Sequence, residues 1–351
     1  MKACRSTPAF LLLFVLALLP IGVAMAQESG AVTRTRLESV RAMESIMGPF
    51  PSRERSPLNV QVISESRRDG LVLQDLTYES QPGARVPAYL LFPEAARTDG
   101  KRHPAVLGLH QTHAAGRKVV VGLGASPDDE YGVELAKRGY VVLAPAYPML
   151  ADYSPDVRGL GFASGTMLAI WNHSRGLDLL SALPFVATNG FGSIGHSLGG
   201  HNGLFTAAFD ARIRVVITSC GFDSFRDYYD GNPAVWAEER GWCQLRYMPR
   251  LAAYRGRLAE LPFDFTDVLG AIAPRAVLIN APKGDSNFRW QSVDRVVKAV
   301  RPLWESAPAQ DGKRPVPPEV LHPDSPHRFP PEQRQRAYEV LDRELGQPRS
   351  E

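Results

Sequence analysis

Gly190-Phe191-Gly192-Ser193-Ile194-Gly195-His196-Ser197-Leu198-Gly199-Gly200-His201-Asn202-Gly203-Leu204-Phe205 is the stretch that decides how the chain is read. Its first five residues are weakly apolar and suit a short strand. The residues from Asn202 to Phe209 suit a helix. Between them stands G-x-S-x-G, the pattern of a sharp strand-to-helix turn that holds a serine in the open. Such a turn carries an unfavourable backbone at the serine, so its neighbours must be small. Gly195 and Gly199 meet that need. The helix that follows aims free N–H groups and its positive end at charge developing near Ser197.

The chain around this turn alternates strands with helices. Val60–Ile63, Leu71–Tyr78 and Val86–Phe92 read as an antiparallel meander at a sheet edge. Pro104–His110 and Tyr140–Pro145 are apolar throughout, as buried parallel strands should be, Val215–Thr218 and Ala276–Asn280 read as further strands, and Glu319–His322 as a last short one. Helical spacing covers residues 33–47, with Leu37, Val40, Met43, Ile46 and Met47 on one side. It recurs over 128–138, 163–182, 264–271, 288–304 and 332–345. This order predicts a mostly parallel central sheet with helices on both faces, and a site at the carboxyl ends of the strands.

A serine becomes a nucleophile when a base takes its proton and an acid holds that base. On an elbow the partners follow in the order serine, acid, histidine. His327, in Asp324-Ser325-Pro326-His327-Arg328-Phe329, lies after the last strand and before the last helix, where it can reach over Ser197. His322 ends the strand itself and is read as packing. Asp285 follows the strand 276–280 and is the favoured acid. Asp223, after the strand 215–218, is its rival, with a turn or helix cap as its plainer role. An oxyanion hole needs two backbone N–H groups. Leu198 supplies one, and Thr112 or Gln111, after the strand 104–110, supplies the other. His110 braces that loop, and His196 and His201 pack beside the elbow.

Length and composition bound the rest. The chain has 351 residues and a formal charge of +3. Lys2 and Arg5, the apolar run Phe10–Leu19 and Ala24-Met25-Ala26 read as a signal peptide over 1–26, cut after Ala26, which implies a periplasmic or secreted protein. Without Lys2 and Arg5 the formal charge falls to +1, so nothing calls for a nucleic-acid or acidic-membrane partner. No later apolar run is long enough to span a membrane. Residues 27–58 form an N-terminal extension and 59–351 one large domain with a sizeable core.

Within that domain, 222–262 is an irregular insert between two strand ends, placed to act as a lid or specificity loop. It is rich in aromatic residues. Trp242, Tyr247 and Arg246 are the candidates for contact with substrate. Cys220 and Cys243 remain after export, and spacing leaves a disulfide and two buried thiols equally open. His110-x-x-His113 lacks further ligands at suitable spacing, so no metal site is expected. No glycine-rich phosphate loop follows a strand, so no nucleotide cofactor is expected.

Taken with these residues, the chain from about residue 60 onward resembles the α/β-hydrolase superfamily. Leu109-His110-Gln111-Thr112, Gly195 to Asn202, Tyr247-Met248-Pro249-Arg250 and His327 with Phe329-Pro330-Pro331 are similar to an exported branch called dienelactone-hydrolase-like or acetyl-xylan-esterase-like. The chain departs from relatives in three places. Ser197 stands where dienelactone hydrolases have cysteine. Leu198 stands where glucuronoyl esterases have arginine. His110-Gln111-Thr112 stands where acetyl xylan esterases of this branch have a His-Gly-Tyr type of loop. The resemblance implies the α/β-hydrolase fold and hydrolysis of carboxylic esters by Ser197, His327 and Asp285, without cofactor. Acyl or methyl esters of plant polysaccharide fragments are the implied substrates. A peptidase of prolyl-oligopeptidase type shares the fold, but the chain is too short for its propeller. A binding protein on an inactive hydrolase scaffold is the third reading.

Overall fold

The computed structural model describes residue 1 and residues 34–351, apart from 125, 310, 311, 313, 348 and 351. The expected signal peptide and the first part of the 27–58 extension lie outside the described residues. The described residues from 34 onward form one compact unit. In chain order its elements are α1 (Arg36–Met47), β1 (Gln61–Arg68), β2 (Leu71–Gln81), β3 (Ala84–Pro93), β4 (Lys101–Arg102), β5 (Ala105–Leu109), α2 (Tyr131–Lys137), β6 (Val141–Pro145) and α3 (Gly165–Ala182). Then follow β7 (Phe191–His196), α4 (Leu198–Phe209), β8 (Ile213–Ser219), α5 (Phe265–Ile272), β9 (Ala276–Asn280), α6 (Trp290–Val300), α7 (Pro302–Glu305), β10 (Glu319–Leu321), α8 (Pro331–Leu345) and β11 (Arg349–Ser350).

Nine strands make one sheet in the order β1-β2-β3-β6-β5-β7-β8-β9-β10. The pairs from β1 through β3 to β6 are antiparallel, and those from β6 to β10 are parallel. This is the architecture that the alternation of elements predicts. The central strands β5, β6 and β7 are buried at every position, as strands covered on both faces must be. One core gathers α1, α3, α4, α5 and α6 against the sheet, and a second gathers α2 and α8 against the other face. Strand order reverses at β5, with β6 on one side and β7 on the other. A crevice opens at such a point beyond the strand ends. The loop after β5 and the turn after β7 both lead into it.

Four expectations need correction. Leu37 is exposed, because the buried stripe of α1 runs through Ser39, Met43, Ile46 and Met47, and Leu37 lies two residues off that phase. β1 runs from Gln61 to Arg68, five residues beyond the expected end at Ile63, and is exposed along its whole length. The helix expected over 288–304 is α6 followed by the separate turn α7, broken at Pro302, which offers no N–H to continue the ladder. The helix expected from 128 begins at Tyr131, after a 3₁₀ turn over Pro127–Asp129.

The insert 222–262 is a chain of 3₁₀ turns fastened to the body rather than a hanging loop. Five of its eight aromatic residues are buried; Phe222, Phe225 and Trp236 do not line the crevice and pack, while Trp242 and Tyr247 line it. Its carbonyls at Leu245 and Tyr247 accept the N–H groups of Gly165 and Thr166 at the start of α3, at 2.8 and 3.3 Å. The Arg246 carbonyl accepts the Tyr147 hydroxyl at 2.5 Å. A Cβ on Gly165 would stand 2.3 Å from the Arg246 oxygen, so this junction requires glycine. Cys220 and Cys243 are both free and buried; burial pushes the Cys243 thiol up to about 12.

Candidate active site

β7 ends at His196, and Ser197 makes the turn with φ 53° and ψ −122°. A serine in this region costs about 1–3 kcal/mol, a strain held by the packing around it. That packing is tight enough to exclude any side chain. A Cβ on Gly199 would lie 1.9 Å from the Leu109 carbonyl oxygen, and one on Gly195 would lie 2.3 Å from Gly199 itself. The Ser197 N–H donates to the Ser219 carbonyl at 2.7 Å, which anchors the turn to β8. Leu198 opens α4, where the first N–H groups of a helix have no intrahelical acceptor.

Ser197 lines a cavity of about 540 Å³. Gln111, Thr112, Leu198 and His327 line it as well, so the predicted nucleophile, oxyanion loop and base share one chamber. His327 Nδ1 lies 2.9 Å from both carboxylate oxygens of Asp285. The Asp285 side chain is 1% exposed and that of His327 20%, so the pair is closed on the acid side and reachable on the base side. Asp285 Oδ1 also accepts the N–H groups of Asn287 at 2.8 Å and Phe288 at 3.2 Å. Burial pulls the Asp285 carboxyl upward, but the His327 hydrogen bond and charge, with those two N–H groups, outweigh it and hold it below the usual range. Among the described hydrogen bonds there is none between His327 and Ser197; in serine hydrolases this contact often tightens only with substrate bound.

Asp223 has a different environment. It is buried, its Oδ2 accepts the Arg289 N–H at 3.2 Å, and its Oδ1 has no hydrogen-bond partner. Burial pushes its carboxyl up to about 8, so at neutral pH it is mostly protonated. It does not line the cavity. His322 is likewise occupied elsewhere: Nδ1 meets the Ala281 carbonyl at 2.8 Å and Nε2 meets Asp294 at 3.0 Å.

Three further histidines, His110, His196 and His201, pack around the site. His110 uses both ring nitrogens, Nδ1 on the Gln111 carbonyl at 2.8 Å and Nε2 accepting the Tyr147 N–H at 3.0 Å. This fixes the loop that carries Gln111 and Thr112, and it leaves no ring nitrogen to join His113 on a metal. Burial lowers His110 to about 4. His196 is lowered to about 3 by burial and then by the neighbouring His327, whose ring centre is 4.8 Å away. His201, lowered to about 3 by burial, stacks on Trp242 at 4.2 Å and 12°. The Cys220, Asp285 and His327 ligand atoms all lie within 4.8 Å of one another. They form a donor set a metal ion could use, although Asp285 and His327 already bind each other.

One wall of the cavity is aromatic. Trp242 meets Tyr247 at 5.1 Å and Phe288 at 6.4 Å, and Phe288 meets His327 at 5.9 Å. Tyr247 also joins its hydroxyl to Thr112 Oγ1 at 3.3 Å, linking the insert to the oxyanion loop. Trp242 and Tyr247 both line the cavity. Arg246 does not line the cavity; its guanidinium lies 5.7 Å over the Tyr247 ring, because the backbone at 245–247 faces α3. Ser126, Asp128, Asp129 and Arg328 form a polar part of the lining, and the sequence alone does not single them out. The Arg328 side chain was legible only as the neighbour of His327, and Phe288 only as the third residue after Asp285.

The comparisons with known proteins agree with this geometry. A family model described as "Glucuronyl esterase, fungi" matches residues 159–307, which include the elbow, the insert and Asp285. The putative hydrolase YtaP of Bacillus subtilis (strain 168) is 24% identical over 292 residues, covering 80% of this chain and 92% of that protein. A glucuronoyl esterase from Solibacter usitatus superposes with a TM-score of 0.67 at 19% identity, over 90% of this chain and 93% of the other. Acetyl xylan esterase 1 from Thermoanaerobacterium sp. JW/SL YS485 does so with a TM-score of 0.55 at 20% identity, over 90% and 94%. Among the described residues no helix is long and apolar enough to cross a membrane. Sheet order, elbow and these likenesses agree, and the chain has the α/β-hydrolase fold.

Proposed function

We propose that the protein is an exported serine hydrolase that cleaves carboxylic esters of carbohydrates. The observation that carries this reading is the His327–Asp285 pair, set at 2.9 Å in the same cavity as Ser197. Asp285 holds a proton on Nδ1, which leaves Nε2 free to accept one. His327 takes the proton of Ser197, and Oγ attacks the ester carbonyl. The N–H of Leu198 and that of Thr112 or Gln111 hold the resulting oxyanion. The charged imidazole, stabilised by Asp285, then gives its proton to the leaving alcohol. Water repeats the sequence on the acyl-enzyme and releases the acid. The aromatic wall of Trp242, Tyr247 and Phe288 suits the apolar face of a sugar ring, and the polar wall suits its hydroxyls. The esterases among the similar structures, and the leader expected over 1–26, support an acylated or methyl-esterified polysaccharide fragment encountered outside the cell.

The test is hydrolysis of p-nitrophenyl acetate by the mature protein beside its Ser197→Ala variant, followed by acetylated and methyl-esterified sugars. Turnover confined to the unsubstituted protein is expected. Equal rates in both proteins would overturn the reading.

A further inference from the structure

The polar wall of the cavity is not electrically balanced. Its side chains carry one cation, Arg328, and two carboxylates, Asp128 and Asp129. The Arg328 guanidinium is spent on Asp128: Nε donates to Oδ2 at 2.7 Å, and NH2 donates to the same oxygen. Arg334, which is buried, reaches Asp128 from behind at 3.4 Å. Asp129 has no ion pair among the described residues. It lines the cavity together with Gln111, in the loop that carries the oxyanion donors. Burial raises the Asp129 carboxyl, against the opposing pull of Gln111, His113 and Arg334, and Asp128 adds to the rise. Beside the oxyanion loop there is therefore an acid without an ion pair, and among the described residues the one arginine that lines the cavity is already bound to Asp128.

We propose that Asp129 makes the site selective against esters that carry a free carboxylate, so that its substrates are neutral esters. The inference rests on the reading of the site as an ester hydrolase and deepens it. A charged group entering the cavity would lose water, find Arg328 already occupied, and face the field of Asp129 through low-dielectric aromatic walls. The acid product of each turnover is pushed out by the same field. Asp129 would act on binding rather than on the chemical step, so its effect belongs in KM.

The experiment compares p-nitrophenyl methyl adipate with p-nitrophenyl hydrogen adipate, which share a chain and differ in one charge. The neutral ester should have the higher kcat/KM by about five- to tenfold, the size of one partly screened charge contact. The gap should lie in KM and narrow as salt rises. In Asp129→Asn, which keeps the size of the side chain and removes its charge, the gap should shrink at least threefold. In Asp69→Asn, on the β1–β2 turn, it should not change. The same two esters are bound to the Ser197→Ala variant, with and without Asp129→Asn, and their affinities are read by calorimetry. This keeps the inference testable if neither ester is turned over, an outcome that would count against the hydrolase reading alone. Equal kcat/KM and equal binding of the two esters, or a gap that survives Asp129→Asn, would overturn the proposal.

Discussion

Replacing Asp285 by asparagine changes one atom and should remove most of the activity. Oδ1 is held by the N–H groups of Asn287 and Phe288, so the amide oxygen of an asparagine would keep that place. Its NH2 then takes the place of Oδ2, 2.9 Å from His327 Nδ1. A donor there turns the ring to the tautomer with its proton on Nε2. That nitrogen can no longer accept the Ser197 proton. A reversed tautomer costs on the order of 10³–10⁴ in kcat in triads of this kind, which corresponds to roughly 4–5 kcal/mol of transition-state stabilisation. The Asp223→Asn variant is the matched control. Asp223 is mostly protonated at neutral pH, so an amide resembles it, and kcat/KM should fall less than about threefold. The assay is p-nitrophenyl acetate hydrolysis at pH 7.5, with thermal melts showing that both variants fold. A larger loss in Asp223→Asn than in Asp285→Asn would refute the assignment of the acid.

Ser197→Gly should abolish turnover and raise the melting temperature by a few degrees, because glycine relieves the φ of 53° at that turn; an unchanged or lower melting temperature would argue against stored strain. Asp223 should make stability fall with rising pH. Its folded-state value is raised to about 8, so the stability it contributes is full below its ordinary value of 3.8 and is lost as pH climbs through 8. Asp223→Asn should therefore gain on the unsubstituted protein in melting temperature between pH 5 and 9, and a constant difference would contradict this. Gly165→Ala should cost about 1–3 kcal/mol, because its Cβ meets the Arg246 carbonyl at 2.3 Å, and KM should rise as the Trp242–Tyr247 wall shifts; denaturant melts and kinetics check both.

The elbow was readable because its signal is local. Two glycines around a serine, a strand before and a helix after all fall within twenty residues, and the strain at Ser197 explains each of them. The parallel strands were readable for the same reason, since burial on both faces writes a continuous apolar run. Choosing between Asp285 and Asp223 was different. Both follow strands that end at the crevice, and only the three-dimensional path of the 285–288 loop brings one of them to His327. Arg246 failed as a candidate because its backbone carbonyl, rather than its side chain, has the structural task. Asp129 left no trace at all, because an acid near a helix start reads as an ordinary surface residue until its neighbours are known. Leu37 shows how weakly a short helix fixes its own phase when only part of one face is covered.

The most direct measurement of the central claim is mass analysis of the protein after reaction with a fluorophosphonate, followed by peptide mapping. A single adduct on Ser197, absent from Ser197→Ala and slowed at least a hundredfold in His327→Ala, is what the geometry predicts. An adduct on another residue, or none at all, would contradict it.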